Sequence, residues 1–143
     1  MSETAETRAA APWWFWVVAV IALLWNAFGG YDYTMSHLQG DAYFRQMRMT
    51  DAQIAYLTAY PSWMHAVWAI GVWGSVLGSI LLVLRSRWAF HAFAVSVLGA
   101  IGNLGYLLMN PGGGDIVFPV IIIAICVALI GFSWAMTKRG VLR

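Results

Sequence analysis

Four long apolar runs restrict the folds that are open to this chain. They cover residues 13–32, 61–84, 88–109 and 116–136, and each is close to the roughly 20 residues that a helix needs to cross about 30 Å of hydrocarbon. The runs are continuous and do not alternate between apolar and polar residues, so they indicate helices and not the strands of a barrel. We therefore predict an all-α integral membrane four-helix bundle that forms one domain, residues 1–143.

The composition excludes most soluble and catalytic classes. Hydrophobic residues make up 62% of the chain and charged residues 10%, against roughly 45–50% and about 25% in soluble domains. A net charge of +2 without a basic stretch offers no surface for nucleic acid. The single cysteine, Cys126, lies in an apolar run and has no second cysteine to pair with. Because no hydrolase, metalloprotease or phosphate-loop motif is present, we predict no catalytic residue, no metal ligand and no enzymatic activity.

The basic residues predict the orientation. Six of the eight lie beside the same ends of the four spans, and only two lie in the connection 33–60. Since lysine and arginine concentrate on the cytoplasmic side, both termini are expected there, and 33–60 is expected outside. The six are Arg8, Arg85, Arg87, Lys138, Arg139 and Arg143, and the two are Arg45 and Arg48.

The outer connection carries its own helix signals. Thr50 and Gln53 have the spacing of a capping box, in which each side chain satisfies a free backbone N–H, and this predicts a short helix from 51 to 59. Asp41 and Arg45 lie four residues apart, which suits a second short helix. We expect a helical connection along the membrane surface; a partly ordered connector is the alternative.

Small residues follow spans two and three at helical spacing, which lets helix backbones approach closely. One interpretation is packing of these two spans within the chain, favoured by the tight connection 85–87. The other is a subunit interface, marked by the GxxxG pair Gly74 and Gly78. The residues concerned are Gly71, Gly74, Ser75, Gly78, Gly99 and Gly102.

Polar residues inside the spans form the candidate site. Asn26, His65 and Asn103 each lie a few residues from the predicted outer end of a span, roughly 6–9 Å deep. They therefore predict one shallow polar layer. It is either a pocket for a ligand, a lipid headgroup or a proton, or a closed hydrogen-bond network, or a region that water reaches near the interface. Further members of the layer or its rim are Tyr106, Asp32 and Asp115.

The histidines do not predict a haem site. His65 lies near the outer end of span two and His91 near the inner end of span three, so roughly 20 Å of depth separates them. His37 is assigned to the outer connection. No cofactor is predicted, and a bound lipid or pigment is left open.

Several segments together resemble a family of small four-span inner-membrane proteins of proteobacteria. They are Trp25–Tyr33 (WNAFGGYDY), Pro61-Ser62-Trp63 with the glycines after it, Arg85-Ser86-Arg87 and the tail Lys138–Arg143. The family is of unknown function, although some members carry an automatic "sugar transporter" label. The resemblance implies a four-span fold in a bacterial inner membrane with a periplasmic outer connection, and it implies no mechanism.

Two functions remain open, with an enzyme the least favoured third. The first is a non-catalytic accessory or assembly subunit that packs against a larger respiratory or photosynthetic membrane complex. The alternative is a transporter or channel for a small, sugar-like solute, acting as a homo-oligomer through the Gly74/Gly78 face. Predicted partners are therefore membrane lipids and either other integral membrane proteins or further copies of this chain.

Overall fold

The computed structural model describes residues 10–111 and 116–142. Helix accounts for 81% of them, and no strand occurs in these two ranges. The helices are α1 (Trp13–Leu38), α2 (Asp41–Gln46), α3 (Asp51–Thr58), α4 (Ser62–Val83), α5 (Ala89–Met109) and α6 (Val117–Lys138).

Four of these helices, α1, α4, α5 and α6, are long and apolar enough to cross a membrane. The chain is therefore a multi-pass, all-helical membrane protein, as the sequence predicts. Successive long helices pack side by side, α1 on α4, α4 on α5 and α5 on α6. Side chains close the arrangement between the first and last helices, where the rings of Phe15 and Phe132 stack with centroids 5.8 Å apart. We call the end with α2 and α3 the cap end, and the opposite end the tail end.

The first long helix ends later than predicted. α1 continues to Leu38, whereas the apolar run stops near residue 32. Its last turns are polar, and two of the side chains there donate to carbonyls one turn back within the helix: Thr34 Oγ1 to the Gly30 carbonyl and Ser36 Oγ to the Asp32 carbonyl. Hydropathy predicts the length of helix that lies in lipid, and the helix itself continues beyond residue 32 with these side-chain hydrogen bonds.

The cap end has a small core of its own. Thr50 and Gln53 form the predicted capping box at the start of α3. On α2, Arg45 Nε lies 3.5 Å from Asp41 Oδ2. Tyr43, Phe44 and Ile54 are buried against each other, with Met35, Met49 and Leu57 packed around them. The two short helices are thus held by apolar packing onto the last turns of α1.

The tail end is closed by the C-terminal segment. Gly140 has a φ of +78°, and after it the Val141 N–H bonds back to the Met136 carbonyl, which turns the chain away from α6. Val141 and Leu142 are buried in the cluster that contains Leu82 and Phe93. Arg85 Nε donates to the Val141 carbonyl at 3.0 Å, so the tail is tied to the α4–α5 turn.

The charged residues that the structure describes are sorted between the two ends. Arg85, Arg87, Lys138 and Arg139 lie at the tail end. Arg45 and Arg48 lie at the cap end with Asp32, Asp41 and Asp51. Arg8, Asp115 and Arg143 lie outside the described residues. The cytoplasmic position of the termini stays a prediction from the basic residues.

The small residues of α4 and α5 meet within the chain. A Cβ added to Gly99 would lie 2.5 Å from the Gly71 nitrogen, so the two backbones are in direct contact there. Ser96 Oγ donates to the Gly71 carbonyl at 2.6 Å across the same crossing.

The remaining small residues extend this crossing. Gly74 packs on Ser96, Gly78 on the Phe93 ring and Gly102 on Val67. Ser75 is buried and donates to the Val72 carbonyl of its own helix. The GxxxG pair Gly74 and Gly78 therefore packs α4 on α5 and is not a free subunit interface.

Candidate functional site

The structure does not bring Asn26 into a layer with His65. Asn26 is buried near the middle of α1, and its Nδ2 donates to Ser79 Oγ at 2.6 Å. Ser79 and His65 lie on the same helix, about 21 Å apart along its axis. The prediction of one shallow layer is wrong for Asn26, because it measured depth from a span end that α1 passes by almost two turns.

Two further members of the predicted layer bond elsewhere. Asn103 Nδ2 donates to the Gly99 carbonyl of its own helix at 3.0 Å. Asp32 accepts a hydrogen bond of 2.7 Å from the Tyr43 hydroxyl and so ties α1 to α2. Burial, and then the hydrogen bond to the Asp32 carboxylate, raise the pKa of Tyr43 well above its usual value.

His65 meets a residue that the sequence placed in a loop. His37 lies in the last turn of α1, and its Nε2 is 3.1 Å from Nδ1 of His65. His37 Nδ1 lies 2.8 Å from the Tyr33 carbonyl. A carbonyl oxygen only accepts, so His37 Nδ1 carries a hydrogen, and in the neutral pair the His65 Nδ1–H donates to the bare His37 Nε2.

Aromatic rings surround this pair. Tyr33 lies over His37 with ring centroids 4.2 Å apart. Trp68 stands edge-on to Tyr33 at 5.0 Å and contacts His37 at 5.4 Å. We call Tyr33, His37, His65 and Trp68 the histidine cluster. His37 is exposed and His65 is half-buried, so the cluster is open to its surroundings at the cap end.

Tyr106, the last predicted member, lies beside this cluster in a group of tyrosines. Tyr60 links the two, with its ring 5.9 Å from His65 and 5.2 Å from Tyr106. Burial, and then the neighbouring Tyr56 and Tyr106, raise the pKa of Tyr60 to about 12. Burial also raises the pKa of Tyr56, whose hydroxyl has no hydrogen-bond partner in the part of the chain that the structure describes.

A helical stripe in the sequence could have revealed His37. Asn26, Gly30, Tyr33 and His37 recur at intervals of three and four, and such residues share one helix face. In the structure this face lies on α4: Gly30 contacts Trp73, and Tyr33 contacts Trp68. Hydropathy does not reveal this stripe, because the C-terminal half of the stripe is polar and lies outside the apolar run.

The chemistry available in this cluster is that of imidazole and phenol groups. Within residues 10–111 and 116–142, no three His, Cys, Asp or Glu side chains are grouped to hold a metal ion by themselves. His91 lies at the other end of the bundle, beside Trp88. The cluster therefore offers two imidazoles and no third side chain of these types.

Comparison of this chain with protein-family models, with curated proteins and with solved structures finds no match. Its own geometry must therefore support any function proposed for it.

The buried Asn26–Ser79 bond should contribute measurably to stability. A double-mutant cycle with Asn26→Ala and Ser79→Ala is expected to show a coupling of about 0.6–1.7 kcal/mol in the free energy of unfolding in micelles, as interhelical hydrogen bonds in membranes do. Asn103→Ala is the matched control, since Asn103 bonds only its own helix. A coupling with Ser79 equal for both asparagines would contradict the assignment.

Proposed function

We propose that this chain is a non-catalytic subunit of a bacterial inner membrane, with cytoplasmic termini, which packs laterally against a larger respiratory or photosynthetic complex. The proposal includes membership of the four-span proteobacterial family that the sequence resembles. One observation carries it: a tryptophan near the middle of α4 lies exposed beside a cleft lined partly by small residues.

Trp73 lies near the middle of α4 and is 44% exposed. Tryptophan at a lipid-facing position belongs near the membrane surface, where its N–H meets water and headgroups. Tryptophan is also among the residues that dominate protein interfaces. An exposed tryptophan in the middle of a long apolar helix, beside an apolar cleft, therefore favours contact with protein over contact with lipid tails.

The cleft beside Trp73 suits a helix. It lies between α1 and α4, has a volume of about 300 Å³ and is almost wholly apolar. Small residues in it let a neighbouring backbone come close, which is how helices associate where lipid removes the hydrophobic driving force. We assign a transmembrane helix of the partner as its occupant. The lining residues are Ala27, Gly30, Tyr31, Thr34, Trp73 and Val76.

The transporter alternative has less support. It needed the Gly74/Gly78 face to join several copies, and both glycines are in contact with α5. The direct contact of Gly71 with Gly99 closes α4 against α5 at that level. The polar groups Asn26, Ser79 and Ser96 all bond partners inside the bundle.

Site-specific photocrosslinking tests the proposal. A photoreactive amino acid at position 73, in the cell of origin at native expression, should give an adduct with another integral membrane protein. The matched position is Val127, which is exposed on α6 far from the cleft, and it should give adducts with lipid. Mild detergent extraction should then recover the chain in a large complex that Trp73→Ala disrupts. Adducts of position 73 with a second copy of this chain, or with lipid only, would overturn the subunit role.

A further inference from the structure

We propose that His37 and His65 together bind a divalent first-row transition-metal ion, with Cu²⁺ held most tightly, at the cap end of the bundle. Its two ligands are not among the residues that line the cleft beside Trp73, and the Tyr33 ring contacts both His37 and Trp73. It joins α1 to α4 through residues 28 positions apart in the chain.

The spacing of the two nitrogens suits one metal ion. His37 Nε2 and His65 Nδ1 are 3.1 Å apart. Two nitrogens at this separation, each about 2.0–2.1 Å from one ion, subtend an angle of roughly 100° at it, between the square-planar and tetrahedral values. A bis-histidine haem would need its two nitrogens on opposite sides of the iron, and this pair has no room between its nitrogens for a ring.

The hydrogen bond behind His37 prepares it as a ligand. Its Nδ1–H donates to the Tyr33 carbonyl, which fixes the tautomer that leaves Nε2 bare. Histidines that ligate metals have this support, in which the second ring nitrogen donates to a carbonyl or carboxylate. The Tyr33 ring over His37 restricts its rotation as well.

Binding needs no net loss of a proton from the neutral pair. The hydrogen on His65 Nδ1 leaves for water as His65 Nε2 takes one up, and the ion then binds both bare nitrogens from one side of the line that joins them. Neither the ion nor a side chain is oxidised or reduced. The remaining coordination positions go to water, which reaches the site past the exposed His37. Imidazole nitrogen suits copper, nickel and zinc, and among these divalent ions copper binds most tightly.

Aromatic rings border the pair. The Trp68 ring contacts both imidazoles from the α4 side, and the Tyr60 ring contacts His65. At the same end of the bundle, Arg45 is paired with Asp41 and Asp51.

Electron paramagnetic resonance of Cu²⁺ tests the site. The full chain, purified in nanodiscs through a tag that contains no histidine and stripped of metal, should bind one Cu²⁺ with the hyperfine pattern of two imidazole nitrogens. His37→Ala and His65→Ala should each weaken binding at least tenfold and leave at most one imidazole nitrogen. His91→Ala is the matched control and should behave as the unmodified chain, because His91 lies at the tail end.

Thermal unfolding supplies a readout that does not depend on the spectrum. An ion that bridges α1 and α4 stabilises the folded state, so Zn²⁺ should raise the Tm of the unmodified chain and of His91→Ala, and not that of His37→Ala. His37 is exposed, so its replacement leaves the core intact even if that of His65 does not. Equal Cu²⁺ affinity in His37→Ala and the unmodified chain, or a one-nitrogen spectrum for the latter, would overturn the proposal.

Discussion

Replacement of Gly99 by alanine is expected to destabilise the bundle by about 1–3 kcal/mol or more, the range of overpacked cores. The new Cβ would lie 2.5 Å from the Gly71 nitrogen, 2.8 Å from its Cα and 2.9 Å from the Val67 carbonyl oxygen. All three are backbone atoms, so no side-chain rotation relieves the clash. The helices α4 and α5 must separate, which also lengthens the hydrogen bond from Ser96 to the Gly71 carbonyl.

Two alanine variants make this test specific. A Cβ at Gly105, on the same helix, would meet no atom within 4 Å, so Gly105→Ala should leave stability unchanged or raise it by up to about 1 kcal/mol through helix propensity. A Cβ at Gly71 would come no closer than 3.4 Å to any atom, so Gly71→Ala should be tolerated. The free energy of unfolding in micelles measures all three. Equal losses of stability in Gly71→Ala and Gly99→Ala would contradict the close approach of Gly99 to the α4 backbone.

Truncation of Leu142 to alanine should cost about 2–4 kcal/mol, in the range of buried leucines. Its side chain is 2% exposed and packs in the cluster that closes the tail end. The segment reaches that position because Gly140, with a φ of +78°, reverses the chain after α6. Loss of the side chain would leave a cavity in the cluster that contains Leu82 and Met136.

The same substitution at Leu84 is the control. Leu84 lies at the same end and is 65% exposed, so Leu84→Ala should change the free energy of unfolding by less than about 0.5 kcal/mol. Both variants are compared by thermal unfolding in the same micelles. A Leu142→Ala variant as stable as Leu84→Ala would show that the tail does not hold the bundle together.

The number and kind of the long helices could be predicted from the sequence, because lipid cannot satisfy backbone polar groups and so demands continuous apolar helices. The capping box at Thr50 was equally predictable, since its two hydrogen bonds lie within four residues. The end of α1 was not. Its last turns depend on hydrogen bonds from Thr34, Ser36 and His37 to carbonyls one turn back, which hydropathy does not report.

The candidate site shows the same limit. His65 was predicted as a site residue because a polar side chain inside a membrane span costs free energy. Its partner His37 lay outside the predicted span, in the connection 33–60. The depth of Asn26 was counted from the end of the apolar run, but α1 continues beyond that point to Leu38. Asn26 therefore lies deeper than His65 and bonds Ser79. Tyr106 does lie near His65, through Tyr60, which no span contained.

By itself, the sequence determined that this protein is an all-helical membrane protein with four long helices. The length and continuity of an apolar run are local properties, and a run long enough to cross lipid must be helical to satisfy its backbone. Only the tertiary structure decided which faces of those helices meet. In it, the small residues of α4 and α5 pack against each other within the chain, Asn26 bonds Ser79, and His37 lies beside His65. These contacts depend on the relative shift of two helices along their axes, and a shift of one turn, about 5.4 Å, would exchange every partner.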